Sequence, residues 1–212
     1  MTSTKRVSAA LVSAALLLSA CTATSGEPKG DFSYNHFRGV VTGSDLEALH
    51  HAFGESLTGG GSCGSWSWSI EGGEGSTYVV AAHTQHPYTN GSIDMSSGVI
   101  DGFSLQAFLT EEMQVAIAYE DPDFILDRGY WAGTPTNEAG IRLGSTEQDV
   151  RAAYPNATDV TTEYGDNLYN DEVYLLVTDG HGGFQEFHIE GDMVFGIYIG
   201  LKSARDAEPE SC

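Results

Sequence analysis

Basic side chains are scarce: nine Lys and Arg stand against thirty Asp and Glu, and the formal net charge is −21 at pH 7. A surface this acidic repels phosphate backbones and anionic lipid headgroups, so no nucleic-acid partner is expected. Spread acidity keeps an exported protein soluble, and cationic partners or divalent ions are the species its field attracts. Cysteine is also scarce, with three copies. No apolar run is long enough to span a membrane comfortably, which excludes an ordinary transmembrane helix.

The N-terminus does hold a short apolar run. Lys5 and Arg6 precede "VSAALVSAALLLSA", the charged n-region and short h-region of a secretory signal. The run ends in Leu18-Ser19-Ala20-Cys21. This resembles the lipobox of bacterial lipoproteins, and the resemblance implies removal of residues 1–20 and lipidation of Cys21, with two or three acyl chains as a stable anchor. The expected location is the extracytoplasmic face of the cell membrane. Nine basic residues less Lys5 and Arg6 would leave seven against thirty acidic ones, a mature net charge of −23. "TATSGEPKGDFSYN" then reads as part of a flexible tether, so 21–37 is assigned to the lipidated cysteine and its linker. With Cys21 assigned to lipid, Cys63 and Cys212 remain in an oxidising compartment and are most simply a disulfide that ties down the tail 203–212.

The rest of the chain invites an internal comparison. "GVVTGSDLEALHHAFG" at 39–54 aligns without gaps on "GIRLGSTEQDVRAAYP" at 140–155. Ser44 with Glu47, and Ser145 with Gln148, have capping-box spacing, so helices are expected to start near Ser44 and Ser145. Leu46, Leu49 and Phe53, and Val150, Ala153 and Tyr154, then share a helical face, and Gly54 and Pro155 stop each helix. Strand-like runs follow in both halves, with "DGHGG" and "EGD" as turns in the second. The expectation is an α+β protein of two tandem repeats, each a short helix packed on an antiparallel β-meander, spanning 38–135 and 136–202.

"GIRLGSTEQDVRAAYP" followed by "FQEFHIEGDMVFGIYIG" resembles the repeat of secreted β-lactamase-inhibitor-type proteins, and is similar to the small unit of BamE-like outer-membrane lipoproteins. The resemblance implies a protein-binding or scaffold module. It carries over no functional residues.

"GGGSCGSWSWSI" at 59–70 is the stretch that most invites a catalytic reading. Gly60 to Gly64 fits the G-x-S-x-G pattern of serine hydrolases, and "GSCGS" before tryptophan resembles papain-like cysteine proteases. In the papain-like pattern a second cysteine precedes the tryptophan, whereas here Ser65 meets Trp66 directly. The hydrolase pattern needs strand–turn–helix around Ser62. "SWSWSI" instead alternates with period two, placing Trp66, Trp68 and Ile70 on one strand face. No catalytic residue is assigned. The tryptophan row has two readings, core under the helix, or an exposed platform of Trp66, Trp68 and Trp131 for a peptide, glycan or partner protein.

No metal and no cofactor is assigned either. His83 and His86 have H-x-x-H spacing without a third ligand nearby, and His50 and His51 point about 100° apart on a helix. "EDPDFILD" and "YGDNLYNDE" lack the spacing and central glycine of a calcium loop. The expected function is a membrane-anchored, non-catalytic binding or envelope-scaffold lipoprotein. The alternative is a small secreted hydrolase using a pair of carboxylates.

Overall fold

Short runs rich in β-branched and aromatic residues dominate the chain, and they become strands. The computed structural model describes residues 30–54, 57–62, 65–72, 76–89, 91–107, 131–160 and 173–201. Cys21, Cys63 and Cys212 lie outside them, as do the acidic stretches at 120–127 and 164–172. The chain begins with β1 (Phe32–Ser33), β2 (His36–Phe37) and β3 (Val40–Val41), a small antiparallel sheet, followed by helix α1 (Leu46–Phe53). Next come β4 (Thr58–Ser62), β5 (Ser65–Gly72), β6 (Tyr78–Gln85), the short pair β7 (Tyr88–Thr89) and β8 (Ser92–Ile93), and β9 (Val99–Ala107). The second part holds helix α2 (Glu147–Ala153), then β10 (Thr158–Val160), β11 (Val173–Thr178), β12 (Gly183–Glu190) and β13 (Met193–Leu201).

This architecture corrects the expected α+β class with two helix-on-meander repeats. The protein is mostly β, and strands from both halves form one eight-stranded antiparallel sheet in the order β10-β11-β12-β13-β9-β6-β5-β4. Helix is confined, among the described residues, to eight residues in α1 and seven in α2. The reason lies at the seam between β9 and β13, where Leu105 pairs with Ile197 and Phe103 with Ile199. All four side chains are at most 4% exposed. Had each half closed its own sheet, these apolar strands would have been open edges with unpaired backbone groups.

Both helices lie on one face of this sheet, together with β1–β3. Alternate residues of the strands point to that inner face, giving a core of Val80, Ala82, Phe103, Leu105, Leu175, Phe187, Ile197 and Ile199. Leu49 of α1 and Val150 of α2 are fully buried against it. Phe37 packs on Phe103 and Phe53, with ring centroids 5.8 and 6.0 Å apart. Within the segment 21–37 assigned to a tether, Phe32 and Phe37 are each 2% exposed and belong to the core. Backbone bonds from Asp31 and Phe32 to the Thr136 carbonyl join this N-terminal piece to the start of the second part.

Each helix begins one residue later than the capping-box spacing predicts. Asp45, not Ser44, caps α1 by accepting from the Ala48 amide at 3.0 Å. Thr146, not Ser145, caps α2, in a reciprocal box with Asp149 at 3.1 and 2.9 Å. The displacement has one cause in both places: Asp45 and Thr146 form extended bridges to Val99 and Met193 of the central strands, and the carbonyl of the serine before each is taken up by the same strand rather than by the helix. The Ile100 amide donates to the Ser44 carbonyl at 2.9 Å, and the Val194 amide to the Ser145 carbonyl at 2.8 Å. Thr146→Ala should therefore cost about 1 kcal/mol of stability in urea denaturation, the usual loss for a cap. Ser145→Ala should cost less, since its hydroxyl accepts only from the Arg142 amide at 3.2 Å; the reverse ranking would reinstate Ser145 as the cap.

Candidate functional site

The glycine-serine motif at 59–64 enters a strand. Gly59, Gly60 and Gly61 lie in edge strand β4, and Ser62 pairs with Ser65 where β4 turns into β5. Among the described residues a strand, β5, and not a helix follows Ser62, which differs from the strand–turn–helix that a nucleophilic serine requires. The glycines have a packing role. A methyl group on Gly59 would lie 2.6 Å from Nε1 of Trp66, so the indole rests across bare backbone.

The three tryptophans do not form one platform. Trp66 and Trp68 are half-buried on the inner face with centroids 6.2 Å apart. The Trp68 indole donates to Thr84 Oγ1 at 2.9 Å, and its ring meets His50 of α1 edge-on at 5.7 Å. Trp131 is 1% exposed and packs on Phe195. The pair is thus partly core and partly rim, and Trp131 is core.

His83 and His86 fall on opposite faces, as residues three apart in a strand do. His86 lies inward, with Nε2 2.9 Å from Thr84 Oγ1. Among the described residues no group of three or more His, Cys, Asp or Glu side chains gathers as a metal site.

His83 points to the outer face, which neither helix crosses, and there it sits at one wall of a trough. The floor includes Gly102 of β9, which faces Gly200 of β13 at the centre of the sheet. A methyl group on Gly102 would lie 2.6 Å from the Ile199 carbonyl oxygen, and one on Gly200 2.6 Å from that of Asp101. The strands approach too closely for side chains, which leaves a depression of about 230 Å³ between His83, Asp101, Phe184, Tyr198 and Ser65.

Hydrogen bonds fix these walls. Nδ1 of His83 is 2.9 Å from Ser67 Oγ, and Nε2 is 2.8 Å from Ser104 Oγ. Burial pushes the imidazole below its ordinary pKa, against a smaller opposite pull from Asp101. It is neutral at pH 7, and a neutral ring flanked by two hydroxyls can satisfy both nitrogens. This row contains a serine and a histidine in contact, but no carboxylate orients the ring as a catalytic triad requires. The Asp101 carboxylate instead accepts from Gln85 Nε2 at 3.0 Å. Tyr198 bonds with Gln106, and burial, with the Glu186 charge adding to it, raises its pKa.

The sequence singled out neither the trough nor its serine–histidine row. Their signal is three glycines inside the strands, one in "VIDGFSLQA" and two in "MVFGIYIGL", alternating with Ser104, Gln106 and Tyr198 at the outward positions.

No protein-family model, curated protein or solved structure matches the chain. The resemblances to lipoproteins and to β-lactamase-inhibitor-type proteins therefore rest on the quoted sequence stretches alone.

Proposed function

We propose that the chain is a membrane-anchored, extracytoplasmic lipoprotein that acts as a non-catalytic binding module, with the outer face of its large sheet as the binding surface. The observation that carries this reading is the trough over Gly102 and Gly200, a preformed depression on a broad face left uncrossed by α1, α2 and β1–β3. A sheet held rigid by eight paired strands loses little conformational entropy on binding. The ligand class is a protein, peptide or glycan, and strong acidity argues against nucleic acid. Anchoring rests on the Leu-Ser-Ala-Cys end of the leader, and the Cys63–Cys212 pairing on the oxidising compartment.

Three measurements test it. Cys21→Ser should move the protein from the membrane fraction to the soluble one, and incorporation of labelled fatty acid without Cys21 would defeat the anchor. A photo-crosslinking side chain at Ser69, on the outer face, should give adducts in the cell envelope, whereas one at Glu47 on α1 should not. Equal adducts from both positions would remove the assignment of the surface. A serine-directed fluorophosphonate should label neither Ser62 nor Ser67, and a stable adduct on either would move the protein to the hydrolase class.

A further inference from the structure

We propose that the trough over Gly102 and Gly200 is an anchor pocket for a basic side chain, arginine or lysine, of a partner polypeptide. The inference rests on the outer face being the binding surface, and it gives that surface a chemical preference.

Size decides first. At about 230 Å³ the depression is below the several hundred Å³ typical of sites that enclose a whole small molecule. It suits one long side chain, with the partner's neighbouring residues lying on the surrounding sheet. Wall chemistry decides next. Phe184 and Tyr198 flank a floor of bare backbone, and the Asp101 carboxylate stands at the rim, held by Gln85 at 3.0 Å while Gln85 also donates to Ser65 Oγ at 3.2 Å. An aliphatic stem can lie along the aromatic walls while its cationic head reaches the carboxylate.

Charge excludes an acidic side chain and favours a basic one. The register places no Lys or Arg on the outer face among the described residues, and it places Glu186 opposite Tyr198. Neutral His83 adds no repulsion at pH 7. An acidic side chain would meet Asp101 and the field of a chain carrying a net charge of −21, and a basic one is drawn in by both.

The test uses the full chain and three blocked peptides, acetyl-Gly-Gly-X-Gly-Gly-amide with X as arginine, lysine or norleucine, followed through the backbone amide signals of the protein. The arginine and lysine peptides should shift Gly102, Gly200 and His83 and bind at least about fivefold more tightly than the norleucine peptide. Raising salt from about 0.05 to 0.5 M should weaken them. Asp101→Asn should weaken both at least about fivefold, without moving signals from the inner face. Equal binding by the norleucine peptide, indifference to salt, or shifts that bypass Gly102 and Gly200 would each overturn the basic-anchor assignment. The wild-type comparison of peptides and salt decides the matter even if the Asp101 variant folds poorly. Envelope adducts at Ser69 combined with no arginine preference would leave the binding surface standing and remove only its specificity.

Discussion

Gly102→Ala should lose about 3 kcal/mol of stability, the upper end of what overpacking an interior costs, or fail to fold. The added methyl group would lie 2.6 Å from the Ile199 carbonyl oxygen, and that contact is with backbone. No rotamer change can relieve it, so β9 and β13 must move apart. Phe103, Leu105, Ile197 and Ile199 all bury their side chains along the same seam, so the separation would open the core beneath. Gly60→Ala is the control, because a methyl group there meets nothing within 4 Å on an edge strand. Urea denaturation should place the Gly102 variant far below wild type and the Gly60 variant near it. Equal midpoints for the two would mean that the seam tolerates a side chain and that the trough floor is not set by close approach.

Asn137→Ala should cost about 4 kcal/mol, because the buried amide serves four groups at once, two of those bonds fully buried. Asn137 is 2% exposed, and its Oδ1 accepts from the amides of Ala139 at 3.0 Å and Ile141 at 2.8 Å. Its Nδ2 donates to Tyr154 and to Gln185 Oε1, both at 2.8 Å. Gln185 has no exposed surface and in turn donates to Glu138 at 3.1 Å. Truncation leaves donors and acceptors unpaired at about 1–3 kcal/mol each, eased where water enters. The network also binds the segment after Thr134 to the C-terminal strands. Burial and the nearby Glu138 push the Tyr154 phenol far above its ordinary pKa, so it stays protonated at physiological pH. A double-mutant cycle with Gln185→Ala should be strongly non-additive, since either truncation disables much of the same network. Additive losses would show that the two amides act independently.

Strand content was legible in the sequence because period-two alternation reports which face of a strand is buried. The alternating "SWSWSI" and the short apolar run "VYLLVT" both formed strands. Sheet membership was not legible. Alternation says nothing about which strand pairs with which, and the joining of β9 to β13 depends on two apolar edges finding each other across the chain. The helix starts were readable to within one residue. The error arose because Ser44 and Asp45, like Ser145 and Thr146, are both good caps, and a tertiary bridge selects between them. His83 and His86 have H-x-x-H spacing that was assigned no metal, and the fold sends the two rings to opposite faces. Trp131 was grouped with Trp66 and Trp68 by residue type alone, and its burial reflects packing on Phe195 that no local pattern encodes. Phe32 and Phe37 were masked by the polar residues around them, which resemble a linker in composition.

The seam between β9 and β13 also dictates how the chain must reach its fold. Gly102 and Gly200 face each other across 98 positions of sequence, whereas β12 and β13 are joined by a two-residue turn. Hairpins of the second kind can close on the microsecond scale, but a contact this distant must first bear the entropy of closing a long loop. Contacts of such separation slow folding. Until the seam closes, the two long apolar strands that end the half-sheets are edges open to any other chain. Under the proposed export by the general secretory route, the chain would reach its compartment unfolded and pass through that exposed stage outside the cytoplasm. The net negative charge that every copy carries then acts before there is a surface to solubilise, by keeping half-folded chains apart while their central strands search for each other.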